Sequence, residues 1–323
     1  MKRRQFLGLV VGASVGWPLK ARTQDAGRVY RIGFLTPVVR EKSQGYTAFF
    51  DELRLGGFVE GQNLTVIPGG FGVPNDKVRE MAPELARAAP DAIVAGPEPP
   101  LRAMQAVTKT IPLLGMDEDM LAAGFVASMA RPGGNITGVS LMSPSLDGKR
   151  QDILIEAVPG VRRIAALVDT NATVSQLQAL KDGARSRGVE LLIVNVAKRD
   201  DTPAAIDSAK AWGAEAINFL ASPMFSIGGD EFVEHATALR LPSILQWPEN
   251  GENGALAGYG PRMTQIYRQR ARMLVKVLRG TKPADIPVEQ PTTFEFVLNL
   301  KTAKAIGLEV PAGLVLRADK LIE

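Results

Sequence analysis

Side chains able to bind or react recur just after short apolar runs. In the first half of the chain they are Thr36-Pro37, Gly96-Pro97-Glu98 and Met116-Asp117-Glu118. Further on they are Asp169-Thr170-Asn171, Ser222-Pro223-Met224-Phe225 and Trp247-Pro248-Glu249. Met142-Ser143 stands between the two sets, and Gly258-Tyr259-Gly260 follows a later run. Together they offer aromatic faces, carboxylates, hydroxyls and amides. That is the mixture that encloses a small polar organic molecule, with apolar walls and a few converging polar groups.

They do not add up to a reactive centre. The chain has no cysteine, which excludes a thiol nucleophile, an iron–sulfur cluster, cysteine-ligated zinc and any disulfide framework. Its one histidine, His235, falls inside the helical pattern Glu231 to Ala238 and reads as a surface or packing residue. A hydrolase using Ser143 or Ser222 is the enzymatic alternative, but no Gly-x-Ser-x-Gly elbow is present. Asp117, Glu118 and Asp119 crowd as an acidic helix start does, and no metal or other cofactor is expected. Gly258-Tyr259-Gly260 lacks the third glycine of a dinucleotide site, and no Walker-type loop occurs.

The elements that would position these loops alternate between strand and helix, the mark of parallel sheets covered by helices. A strand at Tyr30 to Leu35 is followed by a helix from Ser43 to Leu55 that ends at Gly56-Gly57. Strands near Leu64 to Ile67, Ala92 to Ala95, Ile111 to Leu114 and Asn135 to Leu141 follow, with helices at Asn75 to Ala88 and Pro100 to Thr108 between them. The pattern then restarts. Arg162 to Asp169 mirrors the first strand, Thr173 to Arg187 is a helix ending at Gly188, and strands follow near Glu190, Ala216 and Pro242. Arg31 to Gly57 and Arg163 to Gly188 are nearly equal intervals, so the chain reads as two α/β lobes of one design. In open parallel sheets a ligand binds beyond the carboxyl ends of the strands, which is where the polar loops fall.

The first two dozen residues read differently. Lys2-Arg3-Arg4 precede an apolar stretch from Phe6 to Val15, and Ala21-Arg22-Thr23 resembles a signal-peptidase site before Gln24. Arg3-Arg4-Gln5-Phe6-Leu7 is a twin-arginine pattern, so residues 1–24 are expected to be an export signal. With no cysteine after it, a lipid anchor is not expected, and the mature protein should be periplasmic. The formal charge is +4, from 38 basic and 34 acidic residues. Lys2, Arg3, Arg4, Lys20 and Arg22 lie in the expected signal, and removing them leaves 33 basic against 34 acidic residues, a net −1. No basic patch calls for nucleic acid as a partner.

Beyond these patterns the chain resembles the solute-binding proteins of ABC transporters, in the group with tryptophan- and phenylalanine-binding members. The likeness rests on Arg3-Arg4-Gln5-Phe6, Trp17-Pro18-Leu19, Arg31-Ile32-Gly33-Phe34-Leu35, and Arg131-Pro132-Gly133-Gly134-Asn135 running on through Ser140. It also rests on Gly258-Tyr259-Gly260-Pro261 and on Lys282-Pro283-Ala284-Asp285-Ile286-Pro287 through Lys304. The resemblance implies a type I periplasmic-binding-protein fold, in which two Rossmann-like lobes joined by hinge strands form a clamshell with the ligand in the cleft. One lobe would comprise 28–142 plus about 256–292, the other 143–255 plus about 293–323, with hinges near Leu141 to Ser145 and Asn253 to Leu256. The chain would be no enzyme. It would capture an amino acid or an aromatic or other small carboxylate, and hand it to a membrane permease as a monomer. By position in that pattern, the expected ligand-binding residues are Thr36, Pro37, Gly96, Glu98, Asp117, Met142, Ser143, Asn171, Ser222, Met224, Phe225, Trp247 and Tyr259. A solute sensor docking on a membrane receptor would use the same clamshell.

Overall fold

The computed structural model describes residues 27–141, 143–170, 177–226 and 230–323. The expected export signal, Met142 and Asn171 lie outside the described residues. In the first lobe the chain runs β1 (Tyr30–Leu35), α1 (Gln44–Leu55), β2 (Leu64–Val66), α2 (Val78–Arg87), β3 (Ala92–Ala95), α3 (Pro100–Val107), β4 (Leu113–Asp117) and β5 (Ile136–Ser140). These strands form one parallel sheet in the order β2-β1-β3-β4-β5.

The second lobe begins with α4 (Asp147–Ala157), β6 (Arg163–Asp169), α5 (Leu177–Ser186), β7 (Glu190–Val196), α6 (Thr202–Trp212) and β8 (Ala216–Phe219). It continues through α7 (Pro223–Ser226), α8 (Asp230–Ala238), β9 (Ser243–Leu245), α9 (Pro248–Glu252) and β10 (Ala257–Gly260). After α10 (Met263–Leu278) come β11 (Glu295–Asn299), α11 (Leu300–Ile306), α12 (Ala312–Val315) and β12 (Lys320–Ile322). The second sheet has the order β12-β11-β10-β9-β8-β6-β7 and is parallel from β7 to β10, where β11 joins antiparallel. Two α/β lobes, each built on its own sheet, are therefore present as expected.

Local chemistry sets the element ends. The Ser43 hydroxyl accepts the Tyr46 N–H at 3.2 Å and starts α1, and Asn299 does the same for Thr302 at 2.8 Å to start α11. Strands β3, β4 and β5 are buried along their whole length, as in a sheet covered on both faces, and β3 (Ala-Ile-Val-Ala) accordingly reads as an unbroken apolar run. Helix α10 lies against α1 and under the first sheet. A Cβ at Gly45 would come within 2.8 Å of the Tyr267 ring, so only glycine permits this approach.

The chain passes between the lobes after β5, after β10, and before β11. The last passage runs beside β5 first: Ser140 N–H donates to Glu289 O and Glu289 N–H to Gly138 O, each at 3.0 Å. The second passage corrects the expected boundary. Asn253 to Leu256 leads from α9 into β10 within the second lobe, and Ala257 and Gly258 pair with Ile244 and Leu245 of β9. Gly258 and Gly260 make this possible, because a Cβ on either would stand 2.0 Å from the carbonyl oxygen of Trp247 or Gln246. The return to the first lobe thus begins after Gly260, not near residue 256.

Candidate functional site

The carboxyl ends of the two sheets carry the loops nominated from sequence. In the first lobe Thr36 directly follows β1 and is buried. Its hydroxyl accepts Val38 N–H at 3.2 Å, while its backbone exchanges hydrogen bonds with Gly70 O at 3.0 Å and Val73 N–H at 2.9 Å. Gly70 is required there, since a Cβ would lie 1.8 Å from the Phe34 carbonyl oxygen. Pro37 follows, partly accessible.

Gly96, after β3, is buried with φ +123°, and a Cβ would approach the Met116 carbonyl at 2.5 Å. Asp117 closes β4 at 8% exposure, and its carboxylate accepts the Glu98 N–H at 3.1 Å. Burial raises its pKa above the usual carboxylate range, a push that backbone N–H groups of Glu98, Asp119 and Glu118 oppose and the Glu98 charge reinforces. The Glu98 carboxylate itself turns away to Arg102, 2.8 Å off. Asp117 thus holds the loop after β3, and Glu98 is a solvated ion pair.

In the second lobe two buried carboxylates hold the loop after β8. Ser222 donates to Asp169 Oδ2 at 2.5 Å, tying the ends of β8 and β6 together, and accepts Met224 N–H at 3.0 Å. Asp147, opening α4, accepts Ala221 N–H at 3.1 Å and the Arg150 guanidinium at 2.6 Å. Arg150 is fully buried and also donates to the Tyr259 carbonyl at 3.1 Å, so one ion pair joins α4, β8 and β10. Burial raises the Asp147 pKa even though Arg150 opposes the shift. Phe225 is buried edge-on against Phe219 at 5.6 Å, while Met224 stays partly accessible.

Trp247 ends the β9 segment but packs with the first-lobe core, in the cluster that holds Leu141, Ile266 and Met263. It is 4% exposed and bridges the lobes from within rather than presenting its ring at the surface. Tyr259 is partly accessible, its ring stacked on Phe294 at 6.4 Å. Ser143 opens the short 3-10 turn Ser143–Leu146 at the first passage between lobes.

The nominated residues therefore lie at one end of each sheet, and they separate into two groups. Thr36, Gly96, Asp117, Ser222, Phe225 and Trp247 are buried and shape the loops; Pro37, Glu98, Met224 and Tyr259 remain accessible. Sequence reasoning missed the Asp147–Arg150 pair, Arg270 and Phe294. Asp147-x-x-Arg150 reads as an ordinary exposed helix pair, and only the tertiary fold shows it buried. Arg270, fully buried on α10, donates to the carbonyls of Ala95 and Leu114 at 2.8 Å each, where β3 and β4 cease to pair.

The serine and histidine weighed for catalysis do not meet among the described residues. His235 bonds Asp207 at 2.8 Å on the second-lobe surface, and the Ser222 hydroxyl points to a carboxylate, so no serine–histidine pair exists among the described residues. No group of three or more potential metal-ligating side chains occurs among them either. No helix in this part of the chain is long and apolar enough to cross a membrane.

A family model described as ABC transporter substrate binding protein matches residues 51–322. The tyrosine-binding protein of Clostridioides difficile is 24% identical over 265 residues, 81% of this chain and 76% of the relative. An ABC domain from Streptococcus pneumonia, solved in complex with L-Trp, superposes with a TM-score of 0.78 at 23% identity, over 91% of this chain and 100% of that one. A conserved domain protein from Vibrio cholerae gives a TM-score of 0.81 at 22% identity, with the same coverage. These likenesses establish the two-lobed fold of type I periplasmic binding proteins.

Proposed function

This chain belongs to the family of ABC transporter substrate-binding proteins, and from that premise we propose that it captures a small organic solute in the cleft between its lobes. The solute is an amino acid or an aromatic or other small carboxylate. Contacts made by both lobes exist only when the cleft is shut, so binding shifts the lobes toward closure. A membrane permease, driven by an ATPase, then receives the solute. Export through the twin-arginine signal places the mature protein in the periplasm, where it acts as a monomer.

The observation that carries this reading is the way both sheets present their carboxyl ends through loops fastened from behind. Asp117 and Thr36 secure the first-lobe loops, and Asp147 and Asp169 secure the loop after β8. Rigid loops on two lobes joined by short crossings suit a clamp for a small molecule better than a catalytic centre. Native mass spectrometry of the gently purified mature protein, followed by identification of molecules released on denaturation, tests it. One organic species lost on unfolding is the expected result. A protein that carries none, and that no amino acid or aromatic acid stabilises against heat, would overturn the reading.

A further inference from the structure

Asparagine followed by glycine occurs twice in the chain, at Asn250-Gly251 and Asn253-Gly254, each preceded by a glutamate. Glycine carries no side chain to obstruct attack of its own backbone nitrogen on the preceding carboxamide. The dipeptide is therefore chemically labile wherever its backbone is free to turn. The fold treats the two copies differently.

Asn250 is 5% exposed and lies inside α9. Its Oδ1 accepts the Trp247 N–H at 3.1 Å, and its own N–H donates to the Trp247 carbonyl at 3.0 Å. Its carbonyl accepts the Ala255 N–H at 3.0 Å. Gly251 is walled in by β10 and β11, since a Cβ there would stand 3.0 Å from the Gly258 nitrogen and from the Val297 side chain. The Gly251 carbonyl accepts Asn299 Nδ2 at 2.9 Å. The Asn250 carboxamide and the Gly251 nitrogen cannot turn toward each other without opening the helix.

Asn253 instead follows the last residue of α9 and is exposed. Gly254 has φ +114°, and its N–H reaches the Gly251 carbonyl only at 3.5 Å, longer than a well-formed bond of this kind. A local motion at the end of α9 releases that nitrogen, with no need for unfolding.

We propose that Asn253 is a site of spontaneous deamidation in the folded protein, while Asn250 is protected. The Gly254 nitrogen bonds to Asn253 Cγ and gives up its proton, and the carboxamide nitrogen leaves as ammonia, closing a succinimide ring. Water then opens the ring at either carbonyl, leaving aspartate or β-linked isoaspartate. Isoaspartate adds a methylene to the main chain between α9 and β10. Thr302 holds the Gly254 carbonyl at 2.9 Å, and Ala255 to Ala257 are buried, so the added length must be taken up beside β10. The proposal does not depend on which solute the cleft takes.

The test ages the mature protein and Asn253→Gln at mildly alkaline pH, native and in denaturant, and maps the peptides by mass spectrometry that separates aspartate from isoaspartate. In native wild type Asn253 should convert about tenfold faster than Asn250 or more, to products about 1 Da heavier. In denaturant the two sites should convert at similar rates, because only the fold distinguishes them. Asn253→Gln should stay unmodified at that position. Amide exchange from Ala255 to Gly258 should quicken in aged wild type and not in aged Asn253→Gln. An intact Asn253 in the native protein, equal conversion of both asparagines there, or a preference that persists in denaturant would overturn the proposal. Unchanged amide exchange in aged wild type would overturn the strain on β10.

Discussion

Arg270 reaches from the middle of α10 to the carbonyl oxygen of Leu114, 2.8 Å away, and shares the same nitrogen with the carbonyl of Ala95. The pairing of β3 with β4 ends at Leu114, so the guanidinium supplies the donor that the ladder no longer provides. Tyr46 and Tyr267 flank it, and no ion pair to Arg270 is found among the described residues. Burial accordingly lowers its pKa, an effect the neighbouring tyrosines oppose.

Replacing Arg270 with methionine keeps most of the bulk and strips both carbonyls of their donor. Each orphaned buried acceptor costs about 1–3 kcal/mol. Removing a desolvated cation offsets part of this. A net loss of about 2 kcal/mol in chemical denaturation is expected. Unchanged or higher stability would mean that desolvation of the guanidinium dominates.

The Asp147–Arg150 pair predicts strong coupling. Asp147→Ala leaves a guanidinium buried and the Ala221 N–H without its acceptor, at a cost of about 3–5 kcal/mol. Arg150→Met strands the carboxylate to a similar extent. The double variant should lose much less than the sum, because the second change removes the charge that the first left unpaired. Additive losses in a denaturant series would show that the two residues act separately.

Asp117 predicts a pH dependence with a definite sign. Its folded pKa lies above the unfolded value, so the native chain takes up this proton first as the pH falls. The resulting stabilisation is complete below the ordinary aspartate pKa of about 3.9 and is lost as the pH rises through the raised value. Asp117→Asn retains an oxygen for the Glu98 N–H and removes the titration. The variant should be at least as stable as wild type at neutral pH and gain less on acidification. Superimposable stability–pH curves for the two proteins would contradict this.

Much of the architecture was legible because buried parallel strands leave unbroken apolar runs, and because the opening from Arg31 to Gly57 repeats from Arg163 to Gly188. The strand expected at Ile111 to Leu114 runs Leu113–Asp117 instead, since Pro112 lacks an N–H and the apolar signal fades at Gly115. That shift puts Asp117 on the strand end rather than in a free loop. The return boundary was misplaced because Gly-Tyr-Gly offers no apolar side chains to say which sheet it joins. Arg150 and Arg270 stayed invisible for a related reason: an arginine within a helix reads as solvated until the packing around it is known. Trp247 was nominated for the cleft by position, and only the passage of α10 beside it shows the ring sunk in the first-lobe core.

The ion pair between Arg262 and Glu295 spans two of the three passages between lobes. Arg262 lies between β10 and α10, Glu295 opens β11, and their charged groups meet at 2.6 Å. Glu252 of α9 adds a contact at 3.1 Å. The hydrogen bond that Arg262 donates to the Glu295 carboxylate is the main reason the Arg262 pKa is raised. Because these side chains are partly solvated, Arg262→Ala should change global stability by about 1 kcal/mol or less. Two passages fastened to each other must nevertheless bend together when the lobes move. Freeing them should broaden the distribution of lobe separations in the ligand-free protein, read by small-angle scattering or by distance measurements between spin labels on the two lobes. Glu295→Gln should produce the same broadening, and the double variant no more than either single one. An unchanged distribution in Arg262→Ala would show that the hinge is set by the backbone crossings alone.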